Sequence, residues 1–240
     1  MTKIHVSKVL QNALIALQFV NWTFMIQTRG LQFRYGASET LMRFPDIDCA
    51  NMREMLILGG SGSGKTTLLH LLCGLLRPTG GDVIVQNQPL LELSGKDLDQ
   101  FRGKHFGVVF QKSHFVQSLT VLENLALPHF LLGLPFSKNE AIDMLKSLGI
   151  GHKAHHKPKD LSVGEQQRAS IARALYHKPS LVLADEPTSA LDDRSTESVI
   201  AMLEENSRAF GATLLIVTHD QRLKDRYNHR IELEPIQVNA

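Results

Sequence analysis

A chain of 240 residues, 43% of them hydrophobic, is long enough for one domain, or one domain with a subdomain, around a full-sized core. A formal net charge of +2, with no long basic run, argues against a dedicated nucleic-acid surface. The two cysteines, Cys49 and Cys73, lie in apolar stretches without C-x-x-C spacing, so they read as buried thiols in a reducing cytoplasm rather than as a disulfide or a metal site.

Near the start, Val9, Leu10, Ala13, Leu14, Leu17 and Phe24 recur at helical spacing, interrupted by Gln11, Asn12, Gln18 and Asn21. The stretch is too broken for a membrane span, and Asn21-Trp22-Thr23 offers no signal-peptide cleavage site. Residues 1–24 are therefore expected to be an extension outside the fold, translated or not, with a surface helix touching lipid or a partner as the alternative. Met25 opens an alternating segment through Phe33 that reads as the first strand of a domain covering 25–240.

Further strands are predicted at Phe44–Cys49, Met55–Leu58, Asp82–Gln86, Phe106–Phe110, Leu181–Ala184 and Leu214–Thr218. The last two are short continuous apolar runs, as central parallel strands covered on both faces require. Helical spacing marks Thr66–Cys73, Gly95–Gly103, Val121–Leu132, Lys138–Leu148, Val163–Tyr176 and Ser195–Ala209. Strands alternating with helices imply an α/β core. Between Gln111 and Ser162 the β signal fades, which predicts an inserted helical subdomain over about 112–162, punctuated at Leu127-Pro128 and Leu134-Pro135.

Three motifs carry chemistry. Gly59-Gly60-Ser61-Gly62-Ser63-Gly64-Lys65-Thr66, between an apolar strand and a helix, fits the phosphate-binding pattern G-x-x-x-x-G-K-[ST]. Its glycines let backbone N–H groups face phosphates, the helix N-terminus adds positive potential, Lys65 reaches the β/γ-phosphates and the Thr66 hydroxyl ligates Mg²⁺. In Leu181–Thr188, an apolar strand ends in Asp185 and Glu186, one acid for metal and one for water. In Leu161-Ser162-Val163-Gly164-Glu165-Gln166-Gln167-Arg168, Ser162 and Glu165 make a capping box at the start of a helix.

In this order the three motifs closely resemble the nucleotide-binding subunits of ABC transporters, and the resemblance spans residues 27 to about 233. It implies an α/β P-loop NTPase core with a mainly parallel sheet and an N-terminal antiparallel β portion. It also implies ATP and Mg²⁺ as ligands, held by Gly59 through Thr67, with Asp185, Thr66 and Gln111 on the metal. Tyr35 resembles the aromatic that stacks on adenine, Glu186 the residue that activates water, and His219 the switch residue at the γ-phosphate. Ser162, Gly164 and Glu165 resemble the lid presented to a nucleotide held by a second subunit; Val163 departs from the commoner glycine and Glu165 from the glutamine of many members. Ser189-Ala190-Leu191-Asp192 resembles the loop crossing the dimer interface.

The resemblance further implies a head-to-tail dimer with a second copy or a paralogue, and separate integral membrane permease subunits that hold the chain at the inner face of the cell membrane. The branch it most resembles contains lipoprotein-releasing, macrolide-export and cell-division ATPases. No nucleic-acid partner is expected. A soluble ABC-type ATPase acting on nucleic acid or the ribosome is the alternative, although no long coiled coil and no second nucleotide motif is present. A permease segment is expected to dock at His114, Phe115, Val116, Leu119 and Leu125, beside Gln111.

Overall fold

The computed structural model describes residues 24–36, 40–189 and 191–235. The expectations for the segment 1–23 and for Ala190 lie outside the described residues.

Strand β1 (Phe24–Phe33) alternates buried and outward side chains and forms the spine of an antiparallel sheet. One edge of β1 pairs with β2 (Met42–Arg43) and β3 (Asp48–Ala50). Its other edge pairs with β5 (Gly80–Val85), which continues to β6 (Gln88–Pro89). Of the strand predicted at Phe44–Cys49 only Asp48 and Cys49 lie in a strand, β3, and residues 44–47 form an irregular link from β2. Pro45 has no N–H for a ladder, and the Asp46 carboxylate instead accepts the Gly30 N–H at 2.8 Å, where β1 itself bends with Gly30 at φ 57°.

The second sheet is wholly parallel, in the order β10 (Arg230–Leu233), β4 (Glu54–Gly59), β9 (Thr213–Thr218), β8 (Leu181–Asp185), β7 (Phe106–Val109). The two innermost apolar runs, β8 and β9, are buried at every position. Successive residues of the central strands point to opposite faces. Leu56, Leu58, Val182, Ala184, Leu214 and Ile216 join a core with helices α3 (Val121–Leu132), α4 (Lys138–Ser147), α5 (Val163–Leu175) and α6 (Asp193–Ala209). Met55, Ile57, Leu181, Leu183, Leu215 and Val217 join a second core with α1 (Lys65–Leu72) and the antiparallel sheet. Helix α2 (Gly95–His105) leads into β7.

The edge strand β10 escapes the apolar-run reading because its Arg-Ile-Glu-Leu sequence alternates and only Leu233 is buried. Among the described residues, the stretch from Val109 to Leu181 contains helices and short turns but no strand. The expected break at Pro128 does not occur: α3 runs through it and stops at Gly133, φ 65°. Proline deprives only the Asn124 carbonyl of its helical donor, while Val121, Leu122, Leu125 and His129 keep the helix packed. Cys49 and Cys73 are free and buried, and burial pushes the Cys49 thiol up to about 12. Among the described residues, no helix is long and apolar enough to cross a membrane.

Candidate functional site

The site forms where four parallel strands end side by side. The loop leaving β4 turns through Gly62 (φ 77°) and Gly64 (φ 83°), left-handed conformations that a side chain would strain. Ser63 closes it by donating its hydroxyl to the Gly60 carbonyl at 3.0 Å. A Cβ on Gly59 would lie 2.4 Å from Ser63 Oγ and 3.2 Å from Leu233 Cβ, so this position leaves no room for a side chain. Gly60, Ser61, Gly62 and Thr66 stay exposed, while Ser63, Lys65 and Thr67 are buried. The exposed backbone of the loop thus opens onto the N-terminus of α1.

Lys65 lies back across the loop. Its Nζ donates to the Gly59 and Gly60 carbonyls, both at 2.9 Å, and stands 3.4 Å from Glu186 Oε1. Tyr35, 58% exposed, is anchored at one end by a 2.8 Å hydrogen bond with Thr67 and meets Phe33 edge-on. Its ring therefore stands beside the loop with an open face.

At the end of β8, Asp185 is 2% exposed and its Oδ1 has no hydrogen-bond partner among the described residues. Burial raises its carboxyl above the ordinary range, the Glu186 charge adds to this, and a hydrogen bond from Thr66 opposes it. A buried carboxylate oxygen without a donor, adjacent to a threonine hydroxyl at the mouth of a phosphate loop, is chemically suited to a hard cation. The residues present therefore fit Mg²⁺.

Glu186 follows with φ 46°, a left-handed conformation uncommon outside glycine. Its N–H donates to the Val217 carbonyl at 2.8 Å, which extends the β8–β9 ladder by one residue and turns the side chain toward Lys65. Burial alone would raise this carboxyl, but hydrogen bonds from His219 and Thr218 outweigh it and hold the group below the ordinary range. His219 presents Nδ1 to Glu186 Oε2 at 2.9 Å while keeping its ring 60% exposed. A carboxylate only accepts, so Nδ1 carries the hydrogen and Nε2 remains an acceptor in the neutral ring.

Gln111, exposed just beyond β7, shares the wall of a cavity of about 220 Å³ with Glu186, Val163, Gln166 and Gln167. The structure thus gathers Lys65, Thr66, Gln111, Asp185, Glu186 and His219 around one mouth. Ser162, Gly164 and Glu165 sit elsewhere: among the described residues no hydrogen bond or ion pair ties them to the phosphate loop. Ser162 caps α5, with Glu165 N–H donating to its Oγ at 3.3 Å and Glu165 Oε2 accepting the Ser162 N–H at 2.8 Å. Glu165 also lies 3.6 Å from Lys153 Nζ, so its carboxylate is engaged within the chain. Val163 is 59% exposed, and a Cβ on Gly164 would meet nothing within 4 Å, which leaves this helix end open to a partner.

Two features were absent from the sequence reading. Thr218 is wholly buried and donates to Glu186 Oε2 at 2.8 Å; its signal, a hydroxyl one residue before His219 in an apolar strand, reads by itself as β-branched filler. A larger groove of about 380 Å³ runs between α2, α3 and β7, lined by Leu75, Phe110, His114, Val116, Leu132 and Leu134 among others. His114 and Val116 of the docking surface expected from sequence line this groove, whereas Phe115 and Leu125 are core residues at 8% and 1% exposure. Arg173 lies over the Phe115 ring at 4.8 Å and pins the Ser113 and His114 carbonyls beneath the groove.

Comparison with known proteins places these features in context. The family model described as ABC transporter matches residues 46–189. The lipoprotein-releasing system ATP-binding protein LolD of Xanthomonas axonopodis pv. citri (strain 306) is 40% identical over 218 residues, 88% of this chain and 88% of its own. The dimeric structure of MJ0796, a bacterial ABC transporter cassette, superposes with TM-score 0.81 at 32% identity, over 90% of this chain and 97% of that one. The same values hold for a dimeric post-hydrolysis state of MJ0796 bound to ADP and Pi. CbiO1 from Clostridium perfringens, part of the ABC transporter complex cbiONQ, gives TM-score 0.71 at 26% identity over 82% of this chain and 79% of its own.

Proposed function

This chain belongs to the ABC transporter family, and from that premise we propose how its residues serve as the ATP-binding, ATP-hydrolysing subunit of a membrane transporter. The observation that carries the reading is the pair of neighbouring acids beside Lys65: Asp185 keeps one buried oxygen unpartnered among the described residues, and Glu186 is held ionised by its hydrogen bonds. Two acids with such different surroundings suit two tasks.

ATP lies with its phosphates against the backbone of Gly59 through Thr67 and its base on Tyr35. Lys65 exchanges the Gly59 and Gly60 carbonyls for the β- and γ-phosphate oxygens. Asp185, Thr66 and Gln111 are the residues that would hold Mg²⁺, which when bound supplies charge neutralisation at the phosphates. Glu186 orients a water and takes its proton as the water oxygen bonds to the γ-phosphorus. The bond from that phosphorus to the bridging oxygen breaks, the electron pair stays with ADP, and phosphate departs. His219 fixes Glu186 by donating from Nδ1, and its Nε2 stands on the γ-phosphate side of the site, where a second ring proton would let it donate to a phosphate oxygen. Ser162 and Gly164 reach the nucleotide of a second copy or a paralogue in a head-to-tail dimer, supported by the exposed N-terminus of α5 and by the dimers that MJ0796 forms.

The groove walled by Leu75, Val116 and Leu134 receives a segment of an integral membrane permease, which holds the subunit at the cytoplasmic face of the membrane. The likeness to LolD favours lipoprotein release, export or mechanical work outside the membrane as the output. The test is to tag Glu186→Gln in its native cells, solubilise membranes with ATP and Mg²⁺, and identify what co-purifies. Stable nucleotide-bound dimers, phosphate release reduced to a small residual rate and a co-purifying permease are expected. Normal turnover, or nucleic-acid proteins recovered with no membrane subunit, would overturn the reading.

A further inference from the structure

The two oxygens of Glu186 have different surroundings. Oε2 accepts three hydrogen bonds: from Thr218 Oγ1 at 2.8 Å, from the His219 N–H at 3.2 Å and from His219 Nδ1 at 2.9 Å. Oε1 accepts none among the described residues and lies 3.4 Å from Lys65 Nζ, toward the phosphate loop. An oxygen with three donors on it has little lone-pair capacity left for a water; the other oxygen is the open one.

Thr218 sets this asymmetry in a way that a rotating hydroxyl could not. Its Oγ1 accepts the Asp220 N–H at 3.1 Å, which occupies a lone pair and aims its single proton at Glu186. Its backbone is fixed by the parallel register that pairs Asp185 with Val217 and brings the next residue of each strand, Glu186 and Thr218, side by side. Thr218 is 0% exposed, so water cannot substitute for the hydroxyl. His219, by contrast, reaches Glu186 with a ring that is 60% exposed, where water competes for the same contact.

We propose that Thr218 is a positioning residue for hydrolysis: its hydroxyl holds Glu186 Oε2 against the sheet so that Oε1 alone faces the attacking water. The inference rests on Glu186 being the residue that activates water. Thr218 touches neither nucleotide nor water and acts only through Glu186. Holding the carboxylate at a buried strand end, independently of His219, keeps the base aimed even where water takes the histidine's contact.

The experiment compares Thr218→Val, Thr218→Ser and Glu186→Gln for ATP turnover, and for nucleotide-driven dimerisation by size-exclusion chromatography with ATP and Mg²⁺. Thr218→Val keeps the branched shape and removes the donor. Its kcat is expected to fall about tenfold or more, a part of the roughly 10²–10⁴-fold that a positioned general base supplies, while KM for ATP changes less than about twofold. ATP-bound dimer is expected to accumulate, and Thr218→Ser to restore most of the rate. In a Glu186→Gln background Thr218→Val is expected to lower the residual rate no further, because it acts through the same carboxylate. If Thr218→Val does not fold, Thr218→Cys, similar in size with a weak donor, is expected to fall between serine and Glu186→Gln in rate at unchanged KM. Wild-type kcat in Thr218→Val, or failure of serine to rescue, overturns the role of Thr218. Normal turnover in Glu186→Gln would instead remove the reading on which it rests.

Discussion

Lys65 lies between two roles. With both 2.9 Å hydrogen bonds directed at loop carbonyls and a carboxylate 3.4 Å away, its ammonium is already desolvated and pre-aimed, so little is lost when phosphate oxygens replace those carbonyls. Lys65→Ala is therefore expected to weaken ATP binding by about 10- to 100-fold, the worth of a charge-assisted hydrogen bond, with the thermal midpoint little changed. A fluorescent-nucleotide titration of the purified variant checks this, and unchanged affinity would remove the phosphate contact. This part of the site was readable in the sequence because loop glycines, lysine and threonine are neighbours in the chain and their conformations are local. Thr218 was not, since its pairing with Glu186 comes from strand register between segments far apart in sequence. The left-handed backbone of Glu186 was equally silent, because glutamate gives no advance sign of a positive φ.

Helix α5 illustrates how a secondary-structure element sets function. Its capping box ties Ser162 to Glu165, and the hydrogen bond from the Ser162 N–H holds the Glu165 carboxyl below the ordinary range against burial, with Lys153 and His152 adding to the effect. The box fixes the direction in which Ser162 and Gly164 face outward. Glu165→Ala is expected to cost about 1 kcal/mol, as loss of a helix cap does. That corresponds to a thermal midpoint about 2–4 °C lower for a chain of this size. ATP affinity of the single subunit is expected to stay the same while ATP-dependent dimerisation weakens, measured by thermal scan, nucleotide titration and size-exclusion chromatography; weaker affinity in the monomer would place Glu165 on its own nucleotide. Helix positions were largely legible, since apolar spacing and the Ser162 cap lie in contiguous sequence; the caps Ser94, Thr120 and Ser137 appear in the structure. Edges of sheets were less so: β10 alternates, and the segment around Pro45 meets β1 only through isolated hydrogen bonds, from the Phe44 N–H to the Leu31 carbonyl and from the Thr28 N–H to the Ile47 carbonyl.

Across the whole molecule, the last segment is fastened to α6 by charge. Arg226 donates to both oxygens of Glu204 at 2.7 Å and to Glu197 at 2.5 Å, and the Tyr227 hydroxyl donates to Glu204 Oε1 at 2.7 Å. Burial would raise the Glu204 carboxyl, but Arg226 and Tyr227 outweigh it and lower it below its ordinary 4.5. A depressed carboxyl stabilises the fold fully above that ordinary value, and the contribution disappears as pH falls through the lower folded value. Glu204→Gln is thus expected to lose about 2 kcal/mol at pH 7, with the gap from wild type closing below about pH 4.5. Urea midpoints across pH test this; a gap independent of pH would mean that Glu204 acts by packing alone.

The strand held by that fastening lies against the phosphate loop. Leu233 of β10 lies beside Ser63 against the face of Gly59, its Cβ 3.2 Å from where a Cβ on that glycine would be, and β10 pairs with β4 along Arg230–Leu233. During synthesis, the loop sequence therefore leaves the ribosome well before its supporting wall exists. A nascent chain thus carries the whole phosphate-binding motif while still lacking the β10 surface that supports it.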